Sequence, residues 1–456
     1  MGFCQSGIKA KLRDVSLNVQ VCSRDPLIRL ANLIDWADLA TIADADLKMT
    51  KNGFWWVGRK INLRTHLSTM ILQLLLKTTD RGIEIQVTRS PLYQVFCGRS
   101  IVANWKCPDH TKIEVFRNRL APKTQKKISD YIVCLAVEAG FANPSSVDID
   151  STVQEANMSY PSDSTLMRKL AQKCFKVIEF MRKTKKNCLP DGIDIDIKAI
   201  AQKAKEYFFL GKKTAIDKRR KVFKEYHSLI TDQLSPAIKF LENLSPTETS
   251  RLPWNIKHSL NQISTHARKY LKDVAHFVKT HTMKTGKVLS FHCFQVACIK
   301  KGKVGKDKEF GRVIQLGRIV GNFVIAYSST SVRMDDKQSL VPIVIEHEKI
   351  FGKGILKDIA TDKGYYSAKN IREIESLGVL ADGIQRPGRV KNKPEYANVV
   401  HLNNRRAGVE PIIGHVKEFG LRRSKMKSDR AALSQAYRSV AGFNLHQMNR
   451  HLAKVG

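Results

Sequence analysis

Acidic residues are scarce: the 456-residue chain carries 42 Asp and Glu against 78 Lys and Arg, a formal net charge of +36. Such an imbalance bears on partners, not on fold. Nucleic acid is the first candidate, because Lys and Arg on phosphates release counterions without needing a particular sequence. A membrane surface is the second, but long apolar runs are missing. No stretch of 18 apolar residues exists, and the longest, MILQLLLK at 70–77, is interrupted by Gln73 and reads as a buried helix. The start of the chain lacks a charged segment followed by an apolar one, so no secretory signal is expected. MGFCQS fits the myristoylation pattern through Gly2 and Ser6, with Cys4 beside them, yet so short a pattern arises by chance. The nine cysteines are scattered without a C-x-x-C pair, which fits a reducing, cytosolic compartment. Cys293 and Cys298 read as small core residues of a strand. There is no HExxH, and GFWWVGRK misses the phosphate-binding loop because Arg59 and Lys60 stand where Lys and Ser or Thr belong. No ATP site, internal repeat or low-complexity tract is expected.

What is present has an order. Residues 1–140 read as a helical, DNA-binding region. INLRTHLSTMILQLLLK at 61–77 repeats apolar residues at helical spacing. SPLYQVFCG begins with Ser90 as cap and Pro91 in the first turn and ends on Gly98. A longer helix covers PKTQKKISDYIVCLAVEAG and stops at Gly140. Trp55 and Trp56, beside Arg59 and Lys60, suit either stacking on DNA or core packing. At 147 the pattern alternates: Val147, Ile149 and Val153 on one face of a strand, Asp148, Asp150 and Thr152 on a polar one.

From 163 to 285 helical patterning returns, punctuated by LPDG, SPTETS and LPWN, and residues 162–288 hold 27 bases against 12 acids. This reads as a basic helical insertion touching DNA. Its lone tryptophan, Trp254, is expected in the core, with stacking on an unpaired base as the functional alternative. KVLSFHCFQVACI, FGRVIQL and NFVIAYSST then read as strands, the first two joined by the basic loop KKGKVGKDKE. QSLVPIVIEHEKIFG is helical, LKDIATD a short strand, SAKNIREIESLG a helix from Ser367 to Gly378, and VLADGI another strand. The whole is an α/β sheet, residues 141–162 and 286–456, interrupted by the insertion at 163–285.

Three carboxylates sit where an element ends or the charge is unusual: Asp150 on the strand, Asp362 at the end of LKDIATD, and Glu410 in a basic run from 403 to 425. Two divalent cations require carboxylates converging from separate elements, since hard cations take oxygen ligands. Taken singly, each acid reads as a cap or surface charge. Arg406, Glu410 and Lys417 share one face if the helix is continuous, although Pro411 favours a break before or at Glu410.

The spacing R-x3-E-x6-K at Arg406, Glu410 and Lys417 resembles the Y-x2-R-x3-E-x6-K signature of DDE transposases from bacterial insertion sequences, with Asn403 in place of the tyrosine. VDIDSTVQEANMSYPSD looks like the segment around that family's first aspartate, KGKVGKDKEFG like the segment before its second, and ATDKGYYS like the second-aspartate motif. LYQVFCG resembles part of its N-terminal domain, and the likeness spans roughly residues 60–456. It implies an RNase H-like core, and Asp150, Asp362 and Glu410 as ligands of two Mg²⁺ or Mn²⁺ ions. It also implies cleavage of transposon ends and their transfer to target DNA by a homodimer on double-stranded DNA, at the bacterial nucleoid. Spacing alone does not separate Asp150 from Asp148; only the family motif favours Asp150. Arg406, Lys417, Arg422, Arg423 and Trp254 are the DNA-contacting candidates. A DNA-binding repressor descended from a transposase and a nuclease without strand transfer are the alternatives.

Overall fold

The computed structural model describes residues 21–48, 62–98, 107–184, 189–190, 192–210, 214–303, 306–327, 335–385 and 396–454. The MGFCQS start and the Trp55–Lys60 stretch lie outside these.

Among the described residues seven helices come first: α1 (Pro26–Leu33), α2 (Trp36–Lys48), α3 (Leu63–Leu75), α4 (Asp80–Arg89), α5 (Pro91–Phe96), α6 (His110–Arg119) and α7 (Pro122–Glu138). Local chemistry sets their ends. The Asn62 side chain accepts from Thr65 N at the start of α3, Ser90 caps α5, and Gly98 and Gly140 take positive φ where α5 and α7 stop. Gln73 is tolerated in the buried α3 because its amide donates to Asp80 at 2.6 Å.

Strand β1 (Asn143–Glu155) leads into α8 (Asp163–Thr184), α9 (Ile197–Phe209), α10 (Ile216–Glu242), α11 (Pro246–Ser250) and α12 (Trp254–Thr280). These helices pack on a core of their own, around Tyr226, Ile230, Leu234, Ile263 and Tyr270. Asp163 opens α8, as a helix-entry role requires, and pins the insertion's base. Lys287 Nζ lies 2.5 Å from its carboxylate and Tyr270 Oη donates to its carbonyl at 3.0 Å.

The chain then returns to the sheet through β2 (Ala297–Lys303), β3 (Lys306–Val320) and β4 (Phe323–Tyr327). Two expectations are corrected here. The stretch before Ala297 is irregular, because its amides are taken by side chains: Ser290 Oγ accepts from His292 and Cys293, and Asp429 accepts from Phe294 and Gln295. Cys293 is therefore buried outside any strand, while Cys298 lies on β2 and is exposed. The described residues of the basic segment are no loop either. The ladder runs on through Lys300↔Lys308 to Lys303↔Lys306.

After α13 (Asp336–Phe351) come β5 (Asp358–Thr361), a 3-10 turn (Lys363–Tyr365), α14 (Ala368–Ser376) and β6 (Ala381–Asp382). The chain closes with α15 (Tyr396–Arg406), α16 (Val409–Val416), a π-helical turn (Lys417–Leu421) and α17 (Asp429–Lys454). The sheet order is β2-β3-β1-β5-β6, with β4 beside the far half of β3; β1–β3, β2–β3 and β3–β4 are antiparallel, β1–β5 and β5–β6 parallel.

Both faces of this sheet are covered. Val147 and Ile149 join a core shared with the N-terminal helices and α13. The opposite face of β1 is not the open polar face its alternation suggests. Asp148 and Thr152 are buried there, because directly paired residues share a face and their partners on β3 are Arg318 and Ile314. Ile314 and Leu316 pack against Val409, Ile413 and Val416 of α16 and against α17.

Candidate active site

Register brings two of the three carboxylates together. In the parallel β1–β5 pairing, Ser146 stands opposite Asp358 and Asp148 opposite Ala360. One further step sets Asp362, just past the strand end, beside Asp150, on the face covered by α16. Glu410 lies in the first turn of α16, over that face. The burial of Asp150 raises its carboxyl pKa. The Ser151 amide, donating at 2.7 Å, and the Arg406 charge work against that rise, whereas the charges of Asp362 and Glu410 add to it. Carboxylates from the end of β5 and from α16 thus both act on the one carried by β1.

Arg406 Nη1 lies 3.7 Å from Asp150 Oδ2, and Arg406 Nε is buried with no hydrogen-bond partner among the described residues. Arg406 and Glu410 do not share one continuous helix. α15 ends at Arg406 and α16 starts at Val409, because Pro411 has no N–H to offer the carbonyl of Ala407. Lys417 follows α16 in right-handed helical conformation with its N–H on the Ile413 carbonyl, so Glu410 and Lys417, seven residues apart, share one helical face; Gly420 of the π turn, φ +105°, comes after it. Arg422 and Arg423 are exposed on the segment that follows. That segment is stitched to the end of β1: Glu155 N donates to Arg422 O at 3.1 Å and Ser424 N to Glu155 O at 2.7 Å.

Trp254 is not a core residue. It is 78% exposed and stacks on His258 at 5.3 Å. It begins α12, about 24 Å along the axis from Tyr270 at the insertion's base. The ring is exposed because the opening turn of α12 runs past the apolar packing that starts at Ile256.

Asp148, the near neighbour that spacing leaves in contention, belongs to a different arrangement. It is 2% exposed and bound on both sides. Arg318 donates to its Oδ2 from Nε at 3.1 Å and from Nη2 at 2.5 Å, and Arg405 Nε donates to its Oδ1 at 2.8 Å. Arg405 Nη1 also lies 2.5 Å from Asp358 Oδ1, and Ser146 Oγ donates to Asp358 Oδ2 at 2.5 Å. Burial alone lowers the Arg405 pKa, but Asp148 and Asp358 outweigh it and hold the guanidinium above its ordinary value. Arg318 and Arg405 are not legible as site residues beforehand; only strand register reveals them. The same holds for Gln315, whose amide donates to Asp336 at 3.1 Å while its oxygen accepts from Tyr365 Oη, fixing the turn after Asp362.

The residues present suit divalent cations in chemistry. Carboxylates on two other elements penalise the ionised Asp150, a penalty of the kind a cation reverses. Among the described residues, however, no group of three His, Cys, Asp or Glu side chains is close enough to hold a metal ion as it stands.

Residues 15–119 match a family model described as a transposase domain (DUF772), and residues 294–445 match the transposase DDE domain. Together the matches span more than half of the chain, and the chain belongs to the DDE transposases of insertion sequences. The DDE domain implies an RNase H-like fold, consistent with the mixed sheet flanked by helices. The matched part includes Asp362, Arg406, Glu410 and Lys417, while Asp150 lies before it. A Rhizobium meliloti protein described as "Uncharacterized protein ORF8 in nfe locus" is 28% identical over 172 residues, 37% of this chain and 79% of its own. No solved structure matches the chain. Transposases act on DNA, which the +36 net charge favours. No helix among the described residues is long and apolar enough to cross a membrane.

Proposed function

We propose that the protein cleaves the ends of its mobile element and joins them to target DNA, with Asp150, Asp362 and Glu410 as the ligands of two Mg²⁺ or Mn²⁺ ions. The observation that carries this reading is the convergence on Asp150: the β1–β5 register sets Asp362 beside it, and the charges of Asp362 and of Glu410, in the first turn of α16, both raise its carboxyl pKa. Asp148, by contrast, is fully engaged by two arginines. Held by these three residues, two such cations would supply the charge neutralisation that an in-line phosphodiester displacement needs. The attacking groups are water and then a 3′ hydroxyl, so no protein nucleophile is needed.

The chain's own residues bind and orient. Arg406 and Lys417 place the phosphates next to the scissile bond. Arg422 and Arg423, held at the end of β1, grip the backbone further along. Residues 1–140 form a DNA-binding region, 141–162 with 286–456 the catalytic core, and 163–285 a basic insertion lying on the transposon end. Trp254, exposed at the insertion's edge, stacks on an unpaired base. A homodimer pairs two ends.

Asp150→Asn, Asp362→Asn and Glu410→Gln are each expected to lower Mg²⁺- or Mn²⁺-dependent nicking of an end-containing duplex by roughly 10³-fold. Gel-shift affinity should hold or tighten, because each lost charge repels phosphate. Cleavage within tenfold of wild type in any of the three sinks the assignment of that residue. Cleavage unaffected in all three leaves a DNA-binding protein whose nicking comes from elsewhere.

A further inference from the structure

We infer that Arg405 is a positioning residue: its guanidinium locks the α15–α16 turn to β1 and β5, and so holds Glu410 and Arg406 over Asp150 and Asp362. The inference rests on the ligand assignment above and concerns a residue that touches none of the reacting groups.

Each carboxylate of the proposed site rides on a different element, so their separations depend on what ties those elements together. Hydrogen-bonded register ties β1 to β5. α16 meets the sheet through the apolar packing of Val409, Ile413 and Val416 and, past the π turn, through the backbone bonds at Glu155. Arg405 adds a polar link from the last turn of α15, four residues before α16 begins, by reaching Asp148 on β1 and Asp358 on β5 with different nitrogens. A second arginine closes the frame. Arg318 Nη2, besides holding Asp148, donates to the carbonyl of Arg405 at 2.8 Å, which fixes the backbone of the turn to β3. The turn sits directly on this guanidinium. A Cβ added at Gly408 would fall 2.4 Å from Arg318 Nη1, so the glycine lets the chain approach. Two acids and two arginines make the cluster electrically closed, and Arg405 lies directly beside the residue that faces Asp150. A planar fork with donors on several edges suits this job; an ammonium does not. Displacing a positioned phosphate or ligand by about 1 Å slows a reaction on the order of 10²-fold.

The test uses the full chain and three readouts: Mn²⁺ binding measured by electron paramagnetic resonance without DNA, single-turnover nicking at saturating protein, and the slope of log affinity for DNA against log salt. Arg405→Lys keeps the charge but cannot reach Asp148 and Asp358 together. It should weaken Mn²⁺ binding about tenfold and slow nicking by about 10²-fold, while the salt slope stays as in wild type. Arg405→Gln should do the same more severely. If it fails to fold by circular dichroism, Arg405→Lys decides alone. Wild-type Mn²⁺ affinity and rate in Arg405→Lys overturn the inference. So does a salt slope lowered by about one, which marks a direct phosphate contact. Asp150→Asn in the same Mn²⁺ assay separates the two layers. Unchanged Mn²⁺ binding there removes the ligand assignment itself, whereas lost binding there with intact binding in Arg405→Lys removes only the positioning role.

Discussion

Two groups of charge lie one strand step apart on the same face of the sheet, and they are built oppositely. Around Asp148, two acids meet two arginines at ion-pair distance, and its side chain is 3% exposed. Around Asp150, whose side chain is 23% exposed, Arg406 at 3.7 Å is the positive charge acting on it, against two negative ones. Balanced charge is what a fold needs in its interior, since a buried ion without a partner is strongly destabilising. Imbalance held in place by a balanced neighbour is typical of functional carboxylates and agrees with the role proposed for Asp150. The contrast separates two aspartates that alternation alone leaves equivalent.

The largest effect that sharpens this contrast is on stability. Asp148→Asn leaves Arg318 and Arg405 without their shared carboxylate, and a broken buried pair costs about 3–5 kcal/mol. Urea unfolding should show that loss in Asp148→Asn and far less in Asp150→Asn. Equal stabilities for the two variants would erase the distinction. Asp148→Asn is thus not a silent control for catalysis, although alternation alone sets Asp148 on the same polar face as Asp150.

A smaller effect contrasts bases near and far from Glu410. Lys417→Ala should slow single-turnover nicking at saturating protein by about tenfold, equal to about 1.4 kcal/mol. Lys425→Ala, on the exposed segment after Leu421, should lose only affinity. Both should lower the salt slope by about one. An unchanged rate in Lys417→Ala reduces that lysine to bulk charge.

The smallest effect reads the open group directly. Asp150 has a folded pKa raised above its unfolded value, chiefly by burial. It therefore binds its proton more tightly when folded, and its contribution to stability is fully present below the unfolded value and lost as pH rises through the folded one. In chelator at pH 7, Asp150→Asn should melt higher than wild type, by on the order of 1 °C. The gap should close as pH falls through the folded pKa. Adding Mn²⁺ should reverse the order, because wild type alone gains a ligand set. A variant that melts lower than wild type in chelator would show Asp150 to be a structural ion-pair partner of Arg406.

Much of this was open to reading beforehand, for physical reasons that differ by element. Helices such as α5 and α14 carry their own stop and start signals, Ser90 to Gly98 and Ser367 to Gly378, and local signals survive without tertiary knowledge. The strand ahead of Cys298 is misread because an apolar run says nothing about where its amides bond; Ser290 and Asp429 take them. The basic hairpin is misread because lysines are poor strand formers, and only pairing to β3 overrides that. In the site, Asp362 and Glu410 are conspicuous through their neighbours in sequence. Arg318 and Arg405 are not, since they matter through Asp148, far away along the chain.

The pinned base of the insertion has a consequence for how the molecule forms. β1 ends at Glu155 and its antiparallel partner β3 begins at Lys306, so the sheet's central pairing joins segments about 150 residues apart. Closing so long a flexible loop is entropically unfavourable and slows folding. Here the intervening helices have a core within 163–291 and meet the sheet through Asp163, Tyr270 and Lys287. Once they have collapsed on that core, the loop that β1 and β3 must close is only as long as the few residues outside it. Helices α8 to α12 then act as a preassembled hinge pin, bringing the strand that bears Asp150 to its partner before the carboxylates on β5 and α16 arrive.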